Sequence, residues 1–297
     1  MLIIPSPQGM KTLNSAKTTF RRAAIYCTVI ALCSMSLTRI HAQAPSVNPP
    51  AGTQSPRPAA TDSASQRLID NYLVVIGGQP AYHQLTNLVA SGTINEAGKR
   101  KSFQLIETSD GRRLLTYDWK VRGRPHQSRQ AFDGVTSWKQ ELLPKQTPPV
   151  ELKGRDAAHF ARQRWLLQPF VPPLSAEYTF NYQGKAKVGG RPAYIMRGYG
   201  TNNELSWFYF DQQKSLLTRW GGKGSIAGVE ADMDYRATRF AAVNGVLLPK
   251  QIDLLAQDAS FGSITFDTIR ANQTIAPTAF EMPRSSSPVL RQQSGQR

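Results

Sequence analysis

Leu88-Val89-Ala90-Ser91-Gly92-Thr93-Ile94-Asn95 decides the fold. Leu88, Ala90, Gly92 and Ile94 alternate with Val89, Ser91, Thr93 and Asn95, the period of two expected of a half-buried strand, whose successive side chains leave on opposite faces. Phe103, Leu105 and Glu107 set against Gln104, Ile106 and Thr108 repeat the pattern. Turn-forming residues separate such runs at Glu96-Ala97-Gly98-Lys99, Ser109-Asp110-Gly111, Val121-Arg122-Gly123 and Phe132-Asp133-Gly134. Gaps this short join strands as hairpins, because a parallel pair needs a crossover of about a dozen residues or more. The sheet is predicted to be antiparallel and meandering.

Outward from this stretch the same reading continues. Strands are expected at Tyr178 to Tyr182, Ala193 to Gly198, Leu205 to Phe210, Leu216 to Trp220, Val229 to Tyr235, Leu247 to Leu255 and Ile264 to Ile269. In the third of these, Trp207 and Tyr209 oppose Phe208 and Phe210, so bulky residues occupy both faces. Two helices break the pattern. The first, capped by Asp62 or Ser63, carries Leu68, Tyr72, Val75 and Ile76 at helical spacing and ends at Gly77-Gly78. Pro80 to Leu85 adds a short second turn. The proline-bearing Leu143 to Val150 is a loop, and Asp156 to Gln168 reads as a helix with Ala157, Phe160, Ala161 and Trp165 on one face, ended by Pro169. A long antiparallel sheet twists and curls into a complete or partial barrel, leaving a concave face that these helices can cover. The fold class is mainly β (α+β), a curved antiparallel barrel or part-barrel.

At the N-terminus Lys11, Lys17, Arg21 and Arg22 precede an apolar run from Ala23 to Leu37, and Ile40-His41-Ala42-Gln43-Ala44 supplies small residues for cleavage. Residues 1–42 are read as an export signal, with cleavage expected after Ala42. The alternatives are a retained membrane anchor, for which the run is short of the ~20 residues that span a bilayer, and lipid attachment, for which Leu32 and Tyr26 are poorly suited before Cys33 and Cys27. Both cysteines fall in this segment, so the exported chain has no thiol. Residues 43–62 form a linker rich in Pro, Ala and Ser, residues 63–283 a single domain, and residues 284–297 a polar tail. The expected location is the periplasm.

Of 36 Lys and Arg, five precede Pro45, and none of the 20 Asp and Glu does, which leaves 31 basic against 20 acidic side chains, a balance of +11. The cations are scattered, without a long run or a basic helical face, which argues against nucleic acid and suits an anionic membrane surface or envelope polymer.

Several features taken together resemble a family. They are Tyr72-Leu73 through Gly77-Gly78, Leu88 to Gly92, Phe132-Asp133-Gly134 followed by Trp138, Pro169-Phe170, Phe210-Asp211, Asp234-Tyr235-Arg236 with Gly245 to Pro249, and Asn272 to Phe280-Glu281-Met282-Pro283. From about Ser65 to Pro283 the chain is similar to exported proteins of the outer-membrane lipoprotein carrier superfamily, the LolA and LolB type. The resemblance implies a half-open antiparallel barrel with helices over its mouth, whose apolar cavity binds acyl chains, including those of lipoproteins.

Signals for catalysis are few. Beyond the export signal only His83, His126 and His159 remain, none at a metal-ligand spacing from another, and no Gly-x-Ser-x-Gly, Walker loop or dinucleotide fingerprint is present. Gly221-Gly222-Lys223-Gly224 lacks the strand-loop-helix setting of a phosphate site and reads as a turn. Glu230, Asp232 and Asp234 alternate on one strand face, either as a cation or glycosidase-like site or as a solvated outer face, and the second is favoured. No metal, cofactor or catalytic residue is expected. The positive signal is aromatic: Trp119, Phe132, Trp138, Phe160, Trp165, Phe170, Trp207, Tyr209, Trp220 and Phe266 are the candidate lining of an apolar cavity, each alternatively a plain core residue. The expected partner is a lipid or lipoprotein acyl chain held by a monomer acting as carrier or sensor. The alternative is an envelope scaffold that binds polymers through its basic surface.

Overall fold

The structure, a computed structural model, describes residues 57–201, 205–226 and 229–284. The segment read as an export signal, most of the predicted linker and the predicted tail after Arg284 lie outside the described residues. All described residues belong to the compact unit Val47–Arg297.

Among the described residues thirteen strands form one antiparallel sheet. The N-terminal meander runs β1 (Asn87–Glu96), β2 (Lys99–Thr108), β3 (Arg113–Val121), β4 (Arg124–Phe132), β5 (Ser137–Leu143) and the two-residue β6 (Val150–Glu151). The second meander runs β7 (Thr179–Val188), β8 (Arg191–Tyr199), β9 (Leu205–Asp211), β10 (Leu217–Ile226), β11 (Val229–Val243), β12 (Val246–Ala256) and β13 (Ala259–Ala271). Every strand pairs with its sequence neighbour within its own meander, as the short turns predict. One long-range pairing joins the halves: β1 lies against β13, with Leu88 opposite Ala271 and Ile94 opposite Ile264. The free edges are β6 and β7, which are consecutive along the chain. The result is an open antiparallel half-barrel, and residues 152–178 connect its two unpaired edges.

Helix α1 (Ser63–Val75) starts at Asp62, whose carboxylate accepts the Ser65 amide at 2.7 Å and, from the edge of β7, the Tyr182 amide at 2.7 Å. One side chain thus caps the helix and pins it to the sheet. Its buried apolar stripe is Ile69, Tyr72 and Leu73, continued by Ile76, whereas Val75 of the predicted stripe is 43% exposed. At its end the Leu247 amide donates to the Ile76 carbonyl at 2.7 Å. Gly77, with φ +126°, permits this approach, because a Cβ there would lie 2.0 Å from the Gly245 oxygen. The short α2 (Gln79–His83) buries Tyr82.

Helix α3 (Gly154–Arg162) is shorter than the predicted Asp156 to Gln168. Its periodicity would carry Trp165 onto the face of Phe160, but the chain leaves the helix at Gln163. The cause is tertiary. Buried Glu107 on β2 accepts the amides of Trp165, Leu166 and Leu167 at 2.9, 3.0 and 3.0 Å, replacing the intrahelical bonds those amides would otherwise make.

Candidate functional site

The inner face of the sheet follows from the register. It carries Leu88, Ala90 and Ile94 of β1, Phe103 and Leu105 of β2, Leu115 of β3, Phe208 and Phe210 of β9, Tyr235 of β11, Ile252 and Leu254 of β12, and Ile264 and Phe266 of β13, all in one buried cluster. Onto it pack Tyr72 and Leu73 of α1, Phe160 of α3, and Trp165, Leu166, Leu167 and Phe170 of the connection that follows α3. Rings meet edge to face: Phe103 stands 5.5 Å from both Trp165 and Phe266, and Phe170 stands 5.1 Å from Phe208 and 5.5 Å from Tyr72. Most of the concavity is therefore filled by the protein itself.

What remains open flanks α3. On one side a cleft of about 350 Å³ is lined by Ile94, Tyr117, Phe160, Met233, Leu254 and Phe261, with Trp165 and Tyr235 deeper and Glu96, Lys101, Gln130 and Lys139 at its polar margin. On the other a groove of about 690 Å³ runs past Ala157, Ala158 and Ala161 to Phe132, Leu174 and Tyr178. Leu152, just before α3, lines both. Phe160 is the one buried side chain of the helix between them, and no side chain caps its N-terminus. Its polar ties include Ser137 Oγ to the Ala157 carbonyl at 3.1 Å, Arg155 to Glu230 at 3.2 Å and Arg162 to the Lys223 carbonyl at 3.4 Å.

Beneath the cleft lies a buried polar floor. Arg113 Nε is 3.5 Å from Glu107 Oε1 with both side chains fully buried. The Arg113 guanidinium lies 4.7 Å from the Trp165 ring and 5.0 Å from the Phe160 ring. Arg113 also donates to Gln163 Oε1, and Gln163 Nε2 donates to the Tyr235 hydroxyl at 2.7 Å. Burial lowers the Arg113 pKa against the raising effect of Glu107. His159, on α3 at the cleft wall, has its pKa lowered from 6.5 to about 4 by burial first and the Arg162 charge second, so its imidazole is neutral near pH 7.

The ten aromatic candidates separate into three sets. Phe160 and Trp165 line the cleft, Phe132 lines the groove, and Trp119 flanks the mouth, with Lys101 Nζ 5.7 Å from its ring and His126 stacked on it at 5.4 Å. Phe170, Trp220 and Phe266 are packed in the core, Trp220 donating to the Arg164 carbonyl at 2.7 Å. Trp138, Trp207 and Tyr209 are on the outer face, away from the concavity. Trp138 faces the same side as Ala131 and donates to the Phe280 carbonyl at 2.8 Å. Trp207 and Tyr209 form a separate outer cluster with Val188, Ala193 and Ile195. Their neighbours Phe208 and Phe210 hold the inner positions.

The Glu230, Asp232 and Asp234 row does share the outer face, but it is paired with basic groups, and of the three Glu230 alone is exposed. Asp234 is 1% exposed and accepts from Arg219 and Trp207 Nε1, while Asp232 pairs with Lys223 at 2.5 Å. Among the described residues no cluster of three or more His, Cys, Asp or Glu is placed to hold a metal ion. Sequence reasoning missed Tyr117, Met233, Leu254 and Phe261. Tyr117 was within reach, since it shares the period of Arg113 and Leu115, but nothing local shows which face of β11 or β12 turns inward.

No family model and no curated protein matches the sequence. Among solved structures the chain is similar to a DUF1329 family protein from Desulfovibrio piger, with 14% identity and a TM-score of 0.48 over 73% of this chain and 96% of that one. It is similar to a LolA superfamily protein from Nitrosomonas europaea, with 10% identity and a TM-score of 0.48 over 72% and 96%. A putative outer membrane lipoprotein-sorting protein domain from Vibrio parahaemolyticus gives 9% identity and a TM-score of 0.46 over 73% and 95%. Likenesses at such identities concern the fold alone.

Proposed function

We propose that this protein is an exported, non-enzymatic carrier or sensor that binds an acyl chain of a lipid or lipoprotein in the cleft beside α3. The observation that carries the reading is the cleft itself: about 350 Å³ on the inner face, with Ile94, Tyr117, Phe160, Leu254 and Phe261 as its apolar wall and Glu96, Lys101, Lys139 and Asp156 as its charged margin. That volume is at the low end of the roughly 300 to 1,000 Å³ of small-molecule sites. It suits one alkyl chain better than a bulky diacyl lipid, and at the margin, where Lys101 is paired with Glu96, Lys139 is the cation that can meet an anionic head. Displacing α3 would join the cleft to the larger groove, which gives a longer or branched chain room to enter. Export rests on the basic and apolar N-terminal segment, outside the described residues. No helix among the described residues is long and apolar enough to cross a membrane.

Thermal unfolding with a series of single-chain anionic lipids of increasing length tests this reading. Each added CH₂ that enters the cleft contributes on the order of 0.8 kcal/mol of binding, and ligand that binds only the folded state raises the melting temperature. Stabilisation should rise with chain length until the cleft is full, and Phe160→Ala should shift that limit. Stabilisation independent of chain length would overturn the proposal.

A further inference from the structure

The acyl-chain reading leaves open where a chain would come from, and the two hairpin tips beside the cleft bear on that. The β1–β2 and β3–β4 hairpins end next to each other. β2 and β3 pair as far as Ser102 opposite Asp118, and just beyond, Lys101 Nζ lies 5.4 Å from the Tyr117 ring and 5.7 Å from the Trp119 ring. Past that point the tips carry Lys99, Arg100, Lys120, Arg122 and Arg124, all exposed. Residues 95–101 and 118–126 together hold six basic side chains and two acidic ones. Both acids are engaged, Glu96 by Lys101 at 3.2 Å and Asp118 by Gln127 at 2.7 Å. The five tip cations make no ion pair among the described residues.

One exposed apolar side chain stands among these charges, and a second lies on the neighbouring strand. Val121, 47% exposed, sits between Lys120 and Arg122, and Leu143, 40% exposed, ends β5 opposite Gln127 of β4. Lys101 and Tyr117 also line the cleft, so the tips stand at its mouth.

We propose that these two hairpin tips form a docking surface for an anionic lipid bilayer, placing the cleft mouth at the headgroup layer. The inference rests on the acyl-chain reading for its purpose but not for its test. A row of unpaired cations matches phosphate headgroups, and each Lys or Arg close to an anionic leaflet strengthens attachment about fivefold. Val121 and Leu143 distinguish a bilayer from a soluble polyanion. Apolar side chains exposed amid the charges gain only where there is an apolar layer to enter.

The test is vesicle co-sedimentation of the purified protein with phosphatidylglycerol–phosphatidylcholine vesicles and with phosphatidylcholine alone. The tip variant Lys99→Gln/Arg100→Gln/Lys120→Gln/Arg122→Gln/Arg124→Gln is compared with a variant that loses as much charge at exposed positions elsewhere, Arg67→Gln/Lys185→Gln/Lys187→Gln/Arg191→Gln/Lys214→Gln. The parent should bind the anionic vesicles and not the neutral ones. The tip variant should lose at least about tenfold in partition, and the control should stay within about threefold of the parent. Val121→Asp alone should weaken docking several-fold, with an unchanged melting temperature. Equal losses in both charge variants would show that net charge and not this surface acts, and would overturn the proposal. So would binding to neutral vesicles as strong as to anionic ones, or attachment to a soluble polyanion without attachment to vesicles. Binding of a fluorescent fatty acid without vesicles reads the other proposal separately. The tip variant should retain it, and its absence in a parent that still docks would remove the acyl-chain reading and leave the docking surface standing.

Discussion

Arg113 Nε stands 3.5 Å from Glu107 Oε1 with both side chains fully buried, and the same Glu107 carboxylate holds the amides of Trp165, Leu166 and Leu167. This pair ends α3 early and turns the following connection into the concavity. Residues on neighbouring strands thereby decide how much of the half-barrel stays open.

Replacing Glu107 with Gln should be costly although the shape is retained. An amide offers one acceptor where the carboxylate offers two, and it leaves the Arg113 charge buried without a counter-charge. Loss of one partner of a buried pair costs about 3–5 kcal/mol. Urea unfolding should show a loss of this size for Glu107→Gln, and Glu107→Gln/Arg113→Met should lose less than the sum of the two single changes. Strict additivity would show that the two residues act independently.

Tryptophan substitutions should separate the faces of the sheet. Trp165 lines the cleft and Trp207 lies in the outer cluster. Trp165→Phe should reduce both the fluorescence change and the thermal stabilisation produced by an acyl ligand, while Trp207→Phe leaves both as in the parent. A ligand response that disappears in Trp207→Phe and survives in Trp165→Phe would place the ligand on the wrong face.

Acid should weaken the fold through His159. Its folded pKa of about 4 lies below the ordinary 6.5, so the unfolded chain binds the proton more readily. The contribution is intact above pH ~6.5 and is lost as the pH falls toward 4, on the order of 1 kcal/mol or more for a group this enclosed. Urea midpoints at pH 7.5 and pH 4.5 should differ more in the parent than in His159→Asn. Equal pH dependence in the two proteins would show that His159 contributes nothing to it.

Two glycines should respond differently to alanine. At Gly77 the φ is +126° and the new Cβ would meet the Gly245 oxygen at 2.0 Å, whereas at Gly98 the φ is +75° and no atom lies within 4 Å. Gly98→Ala should cost only backbone strain, about 1 kcal/mol. Gly77→Ala should cost at least twice that, because the junction of α1 with β12 must open. Melting temperatures of the two variants give the comparison directly, and equal shifts would show that the contact is readily relieved.

Some of this architecture is local and was legible in the chain. Strands β1 and β2, the turns at Gly98, Gly111 and Gly123, and the capped α1 depend on side-chain alternation and on residues that tolerate positive φ, properties that neighbours in sequence impose on one another. The antiparallel meander follows from connections too short for anything else. The β1–β13 pairing, the length of α3 and the facing of each aromatic side chain came only from the tertiary structure. Alternation shows that Trp207 and Phe208 point opposite ways, but the choice of inner face depends on the register against β8 and β10, where a bulge between Leu217 and Arg219 puts Trp220 on the inner side and Arg219 on the outer. The end of α3 depends on a carboxylate 58 residues away in sequence from Trp165. Periodicity reports what a segment prefers alone, and a buried charge that must be satisfied overrides it, because leaving that carboxylate without donors costs more than a turn and a half of helix returns.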